Sequence, residues 1–154
     1  MHQSYMPRCT HTPFGDLGDM MMIDTRFAPY AALALRLALG ALFLAHAGLK
    51  LFVFTPAGTA AYFASLGLPS ALAYLVIAVE LAGGVALILG VYARIAALLL
   101  IPGLLGAIVT VHFAAGFFFN DPNGGWEFPA FWAVSLVVLA ALGDGALALK
   151  PTRV

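Results

Sequence analysis

Long apolar runs separated by short polar stretches dominate this chain. Four of the runs exceed about 18 residues, the length that an α-helix needs to cross the hydrocarbon core of a bilayer. They cover about residues 29–51, 70–90, 95–118 and 128–149. None of them alternates apolar with polar residues, as the strands of an outer-membrane barrel would. The pattern therefore predicts an all-α membrane protein, a bundle of four transmembrane helices.

The composition agrees with this prediction and removes several classes of function. The 154 residues are 63% hydrophobic and 9% charged, which is more apolar surface than a small soluble core could bury. The net charge is zero and the basic residues are scattered, so no basic face exists for nucleic acid. Cys9 is the single cysteine, which excludes an internal disulfide and a cysteine-ligated iron–sulfur cluster. Redox chemistry would need a bound cofactor or a partner protein.

The distribution of lysine and arginine predicts the orientation, because cytoplasmic loops carry an excess of both residues. Basic residues precede the first run, open the third and follow the fourth, whereas the opposite side has only Lys50. The residues of the basic side are Arg8, Arg26, Arg94, Lys150 and Arg153. Both termini are therefore expected in the cytoplasm of a bacterium, and the protein in its inner (plasma) membrane.

The polar beginning of the chain has neither helical periodicity nor the features of a signal peptide. We expect residues 1–25 to be a disordered leader and residues 26–150 to form the membrane domain. The methionines at positions 20 to 22 leave open whether the true start of the protein lies there or at Met1.

Small residues predict where the helices pack, because transmembrane helices associate through close backbone approach. The second run has four of them spaced four residues apart, and the first and third runs each contain a glycine near the middle. These residues are Ala78, Ala82, Ala86, Gly90, Gly40 and Gly103. We expect each to lie in a contact between helices.

Several ionisable residues lie inside the predicted spans, where a charge costs roughly 2.5–3.5 kcal/mol and needs a partner. Arg36, His46 and Lys50 fall within roughly an 80° sector of the first helix, so this face should point into the bundle. We expect Glu80 to be the only buried acid in the spans, and Arg36 or Lys50 could pair with it. We predict Arg36. Such a pair could fix helix packing, or Glu80 could relay protons or contact a substrate.

His46 and His112 are expected at similar depth, and three alternatives stay open for them. They could form hydrogen bonds to the backbone or to Glu127. With Lys50 they could line a pocket for a quinone-type or other small molecule. They could also hold haem or a metal, but a third ligand at fixed spacing is missing unless Glu127 supplies it. We expect no metal and no haem.

Several short motifs, in order along the chain, resemble the DoxX family of small four-helix bacterial membrane proteins. The similarity covers about residues 26–149. The motifs are Arg36-Leu37-Ala38-Leu39-Gly40 with His46 and Lys50, Leu66-Gly67-Leu68-Pro69, Glu80-Leu81-Ala82-Gly83-Gly84, Val111-His112, Gly116-Phe117-Phe118 and Gly124-Gly125-Trp126-Glu127. Two positions depart from the family: Ala47 replaces a glycine, and 143–150 lacks the usual Gly-Pro-Gly and Ser-Leu-Asp.

The resemblance implies a redox setting without fixing a role. Some members are similar to a subunit of a thiosulfate:quinone oxidoreductase, and others to membrane partners in sulfur and oxidative-stress complexes. The polar positions that it carries over are the candidate site residues, Arg36, His46, Lys50, Glu80, His112 and Glu127.

Three functions follow as hypotheses. The first is a redox-associated subunit that binds a quinone-like molecule in the outer half of the bundle, with a redox protein as partner. The second is a noncatalytic scaffold or assembly partner of an oxidoreductase complex. The third is a minimal transporter, for which four helices form a narrow pathway unless the chain is a homo-oligomer.

Overall fold

The computed structural model describes residues 25–122 and 124–152, and these residues form helices joined by turns, without a β-strand. Two π-helical segments, Leu49–Val53 and Ile108–His112, prolong α1 and α4. The α-helices are α1 (Ala28–Gly48), α2 (Pro56–Ser65), α3 (Ala71–Leu89), α4 (Ala93–Ala107), α5 (Phe113–Ala115) and α6 (Glu127–Leu142). The predicted leader, apart from Thr25, lies outside the described residues, as does Cys9.

Three helical stretches among the described residues are long and apolar enough to cross a membrane. They are Ala28–Val53, Ala71–Leu89 and Ala93–His112, of 26, 19 and 20 residues, and the apolar helix Glu127–Leu142 is shorter. The prediction of an all-helical chain is confirmed.

The predicted ends of the third and fourth runs are wrong, because glycines turn the backbone there. Helix α5 ends before Gly116, whose φ is 110°, so the run 95–118 is three residues too long. Helix α6 ends at Leu142, before Gly143 with φ of 98°. Both angles favour glycine over residues with a side chain, and the apolar residues after Gly143 form an irregular segment instead of the predicted helix to 149.

The four long helices form a ring in which α1 packs against α3 and α6, and α4 packs against α6 and α3. Helix α2 lies against α3. The core inside the ring consists of apolar side chains, including Leu39, Phe43, Leu87, Leu100, Trp132, Leu136 and Leu139. The ring therefore has four contacts between neighbouring helices, and the distance between the helix backbones differs among them.

Helices α1 and α3 approach most closely at two glycines. A Cβ on Gly40 would lie 2.9 Å from the carbonyl oxygen of Gly84 and 2.7 Å from Cγ1 of Ile88. This confirms Gly40 as a packing position. On α3 the prediction is wrong for Ala78 and Ala82, which are exposed, whereas Ala86 packs against the core and Gly90 is buried.

The buried residues of α3 are Ala73, Ile77, Gly84 and Leu87. Residues four apart drift by about 40° per step around a helix of 3.6 residues per turn, whereas spacings of three, four and seven stay on one side. The buried residues of α3 have these spacings of three, four and seven, and they therefore form its packing face.

The chain beyond α6 folds back across one end of the ring, which we call the strapped end (residues 26–36, 89–94 and 143–152). Ala146 N donates to Pro29 O at 2.9 Å, and Leu149 N donates to Leu89 O at 3.1 Å. The backbone of Lys150 forms two further hydrogen bonds: its N donates to Gly90 O at 3.1 Å, and its O accepts from Tyr92 N at 2.8 Å. The segment thereby ties the beginning of α1 to the turn between α3 and α4.

Candidate functional site

Arg36 lies at the strapped end and does not contact Glu80, so the predicted pair is wrong. Its side chain is 1% exposed; Nη1 donates to Asp144 O at 3.0 Å and Nη2 to Ala146 O at 3.2 Å. The physical reason is the antiparallel register of α1 and α3. With Gly40 beside Gly84, Arg36 lies next to Gly90, at the C-terminal end of α3. Glu80 is in the middle of that helix, out of reach of Arg36.

Asp144 is a buried acid that the sequence reasoning did not select. Its carboxylate accepts from the backbone N of Thr152 at 2.9 Å, from the Thr152 hydroxyl at 3.2 Å and from Arg94 N at 3.4 Å. Arg94 also donates from Nη2 to Ala141 O at 3.2 Å. The signal available in the sequence was the departure from the family pattern at 143–150, where an acid stands between two glycines.

Glu80 pairs with Lys50, the other alternative that the sequence left open. The Lys50 ammonium lies 2.6 Å from both carboxylate oxygens, and the two side chains are 20% and 15% exposed. Lys50 belongs to the first π-helical segment, in which Phe54 N donates to Leu49 O at 2.9 Å.

His46 forms a hydrogen bond to the backbone of its own helix, from Nδ1 to Leu42 O at 3.0 Å. Its ring meets Trp132 edge-on, with centroids 4.9 Å apart. Trp132 also packs on Phe43 at 4.4 Å. These contacts fix the orientation of the imidazole between α1 and α6.

His112 lies in the second π-helical segment and forms a hydrogen bond from Nδ1 to Gly124 O at 2.8 Å. Glu127, which the sequence offered as a partner, instead accepts from Phe119 N at 2.8 Å. The 116–127 loop is closed further by Trp126 N donating to Gly116 O at 3.1 Å. The loop thus holds His112 through a backbone carbonyl.

A cavity of about 1560 Å³ lies at the end of the ring opposite the strapped end. We call this region the cavity end (residues 42–80 and 99–132). Among the candidate residues, five line the cavity and Arg36 does not: the lining group is His46, Lys50, Glu80, His112 and Glu127. The rest of the wall is mainly apolar and aromatic, as in sites for organic molecules.

Helices α3 and α4 both contribute to the wall of the cavity, and we call the part of the cavity that they line the slot. Leu72, Leu75 and Val79 line one side, and Leu99, Gly103, Gly106 and Thr110 line the other. From Leu99 to Thr110 the slot follows α4 for about 16 Å at 1.5 Å per residue. Leu75 and Leu99 are 58% and 64% exposed, so the slot reaches the outer surface of the ring.

Gly103 and Gly106 lie beside empty space. A Cβ on either glycine would meet no atom within 4 Å. The prediction that Gly103 lies in a contact between helices is therefore wrong. Its small size widens the slot.

The aromatic wall of the cavity was missed by the sequence reasoning. Trp132 is 4% exposed, and its Nε1 is buried without a hydrogen-bond partner in the described chain. Trp132 lies inside the predicted run 128–149, and the need of a buried indole N–H for a partner was the signal that could have identified it.

No group of three histidine, cysteine, aspartate or glutamate residues that could hold a metal ion occurs within residues 25–122 and 124–152.

Comparisons with known proteins place the chain among small membrane proteins. The family model described as DoxX matches residues 31–113. The chain is 40% identical over 119 residues to the Bacillus subtilis (strain 168) protein named "Putative oxidoreductase CatD", covering 77% of this chain and 84% of that protein. No solved structure gives a significant match.

Proposed function

The chain belongs to the DoxX family, and from this premise we propose that it is a redox-associated membrane subunit that binds a quinone-like molecule in its cavity. The observation that carries the proposal is the cavity itself, a mainly apolar volume of about 1560 Å³ with five of the candidate side chains in its wall. A ligand with one or two polar oxygens on an apolar aromatic ring fits a wall that is mainly apolar and has a few polar groups.

The polar residues take different roles in the proposed site. His46 and His112 bond the ligand oxygens, because each ring is held by its Nδ1 and keeps its other nitrogen available. Lys50 stabilises negative charge that develops on an oxygen, and Glu80, its partner at 2.6 Å, accepts or passes a proton. Arg36 is left out of the site, and its role is to hold the strapped end together.

The electrons come from outside this chain. It has one cysteine, too few for a dithiol or an iron–sulfur cluster. We therefore propose a redox protein as partner, consistent with the word oxidoreductase in the name of the B. subtilis relative.

A noncatalytic scaffold is the second candidate, and one observation favours it. Each of the five candidate side chains in the cavity already has a partner within the chain: Lys50 has Glu80, both histidines have backbone carbonyls, and Glu127 has a backbone N–H. A scaffold needs only these contacts, whereas a binding protein also needs the empty volume beside them.

Ligand extraction separates the two candidates. The protein, purified from bacterial membranes in mild detergent, is extracted with organic solvent, and co-isolated quinone and hydroquinone are quantified by chromatography. We expect close to one molecule per chain, and a large loss in the double variant His46→Phe/His112→Phe. The control is Lys150→Gln, which lies outside the cavity. Equal trace amounts in all three proteins would favour the scaffold.

We also propose that all four long helices cross the inner membrane. Helix α6, about 24 Å long at 1.5 Å per residue, is shorter than the hydrocarbon core of roughly 30 Å. It packs along α1 and α4, however, and therefore lies at their depth. Small mismatches of this kind are absorbed by local thinning of the bilayer.

The strapped end faces the cytoplasm in this proposal, with both termini. Arg26, Arg94 and Lys150 all lie there. The neighbouring Tyr92, whose ring centroid lies 4.9 Å from the Lys150 ammonium, raises the pKa of this exposed lysine. Reporter fusions at Val154 and at Pro122 test the orientation: the first should report cytoplasm and the second the opposite side. A periplasmic Val154 would reverse it.

A further inference from the structure

The hydrogen bonds of the two cavity histidines fix which proton each neutral ring carries. In both rings Nδ1 faces a backbone carbonyl, Leu42 O at 3.0 Å and Gly124 O at 2.8 Å. A carbonyl oxygen can only accept a hydrogen bond, so Nδ1 must carry the proton in each ring. Nε2 of the neutral ring is then a lone-pair acceptor.

The Nε2 atoms are available to a ligand. Neither atom forms a hydrogen bond in the described part of the chain. Neither is fully buried, since the buried side-chain atoms without a partner are those of Arg36, Arg94 and Trp132. Both histidines line the cavity. The cavity therefore presents two fixed acceptors that are supported from behind by the backbone.

The other polar groups of the wall are of both kinds, since the Trp132 indole N–H is a buried donor without a partner in the described chain. Thr110 donates its hydroxyl to Gly106 O at 2.8 Å and Thr59 to Thr55 O at 2.9 Å, which leaves both oxygens as acceptors. The Glu127 carboxylate is an acceptor as well. Among charged donors the described lining has only Lys50, whose ammonium faces both oxygens of Glu80.

The two Nε2 acceptors select ligands that bring hydrogens, and a hydroxyl that donates to Nε2 can also accept from the Trp132 N–H. A quinone carbonyl placed against Nε2 would leave two lone pairs facing each other, whereas the hydroxyl of the reduced form would donate. From this we infer that the cavity binds the hydroquinone, or a similar membrane-soluble diphenol, in preference to the quinone. The inference rests on the proposed function and names its ligand class: an apolar aromatic ring with two hydroxyl groups.

The slot between α3 and α4 indicates how such a molecule arrives. Leu75 and Leu99, which lie at the edges of the slot, are exposed on the face of the helix ring that lies toward lipid in the proposed topology. Gly103 and Gly106 keep it wide. A diphenol dissolved in the bilayer can enter sideways with its apolar substituents in the slot and its hydroxyls at the histidines.

The test compares three probes of nearly equal shape by anaerobic calorimetry on the full chain in detergent. They are tetramethylhydroquinone, tetramethylquinone and the dimethyl ether of the hydroquinone, which has the same oxygens but no donor hydrogen. We expect the hydroquinone to bind at least about tenfold more tightly than either of the others, since one hydrogen bond in a desolvated site corresponds to about this factor.

Variants assign the preference to the histidines. His46→Phe and His112→Phe should each reduce it by about tenfold, while His112→Gln, whose amide can donate to Gly124 O and accept from the ligand, should retain part of it. Lys150→Gln is the matched control and should bind as the parent does. Comparing the three probes on the unaltered chain requires no variant to fold.

Two outcomes overturn the inference in distinguishable ways. Equal or tighter binding of tetramethylquinone, or a preference that both phenylalanine variants keep, overturns the hydroquinone selectivity and leaves quinone-type binding standing. Failure of all three probes to bind overturns the proposed function, and the inference with it.

Discussion

The two ends of the helix ring satisfy their polar groups in opposite ways. At the strapped end, Arg36 is 1% exposed and bonds to two backbone carbonyls of the C-terminal segment, which Asp144 holds in turn. At the cavity end, Lys50 and Glu80 are bonded to each other but keep 20% and 15% of their side chains exposed. Closed packing surrounds the first set, and empty volume lies beside the second.

The backbone differs in the same sense. The strapped end is tied by hydrogen bonds between residues far apart in the chain, such as Lys150 with Gly90 and Tyr92. The cavity end has both π-helical segments, and these carry Lys50 and His112. Polar groups deep in a membrane protein can thus be structural or available, and what separates the two is the space beside them. This comparison predicts different responses to mutation at the two ends.

The largest effect is expected at Arg36. Arg36→Gln removes a buried cation and leaves the carbonyls of Asp144 and Ala146 without their donor, so the free energy of unfolding in detergent should fall by about 3 kcal/mol. Lys150→Gln, an exposed cation of the same end, should change it by less than about 0.5 kcal/mol. Equal unfolding midpoints for the two variants would contradict the role of Arg36 as the anchor of the strapped end.

A smaller loss is expected at the contact of α1 with α3. Gly40→Ala places a methyl group 2.9 Å from Gly84 O, and such overpacking typically destabilises by about 1–3 kcal/mol. Gly48→Ala is the matched control in the same helix, since a Cβ there meets nothing within 4 Å. Thermal unfolding that is lowered equally in both variants would show that helix propensity, and not the close approach, governs position 40.

The third prediction concerns the identity of the ion pair. In a double-mutant cycle, Lys50→Met and Glu80→Gln should couple by about 1 kcal/mol, reduced from the value of a fully buried pair by their partial exposure. Arg36→Gln and Glu80→Gln should be additive to within about 0.5 kcal/mol, because the two residues share no partner. Coupling in the second cycle and not in the first would restore the pairing predicted from the sequence.

The smallest effect is expected in the slot, with the opposite sign. Gly103→Ala adds a methyl group to empty space and should stabilise α4 by up to about 1 kcal/mol, the difference in helix propensity. Gly103→Leu should keep the stability of the parent but lower ligand binding, because its side chain enters the slot. A marked loss of stability on either change, measured by thermal unfolding, would mean that Gly103 packs against a neighbour after all.

Much of the fold could be predicted from the sequence, because span length and apolarity are local properties. The runs at 29–51 and 70–90 match their helices to within a few residues, and Gly40 was identified as a packing position. The ends at Ala115 and Leu142 were missed because the residues beyond them are still apolar or aromatic, so hydropathy continues where glycine backbone geometry ends the helix.

The candidate site could be predicted in its membership but not in its contacts. Five of the six residues selected from the spans and the resemblance line one cavity. The sixth, Arg36, shares a helix face with His46 and Lys50 but lies about 15 Å further along α1 than His46, at 1.5 Å per residue. Angular position alone could not show that this separation puts Arg36 at the other end of the bundle.

What the sequence by itself determined is the set of apolar helices and the presence of ionisable groups within them, because both follow from residues taken in order. The tertiary structure alone decided which group meets which. The antiparallel register fixed at Gly40 and Gly84 places Glu80 beside Lys50. The returning C-terminal segment supplies the carbonyl oxygens of Asp144 and Ala146 to which Arg36 donates. Pairing depends on distances between helices, and these are set by where backbones touch and where, as at Gly103, they stay apart.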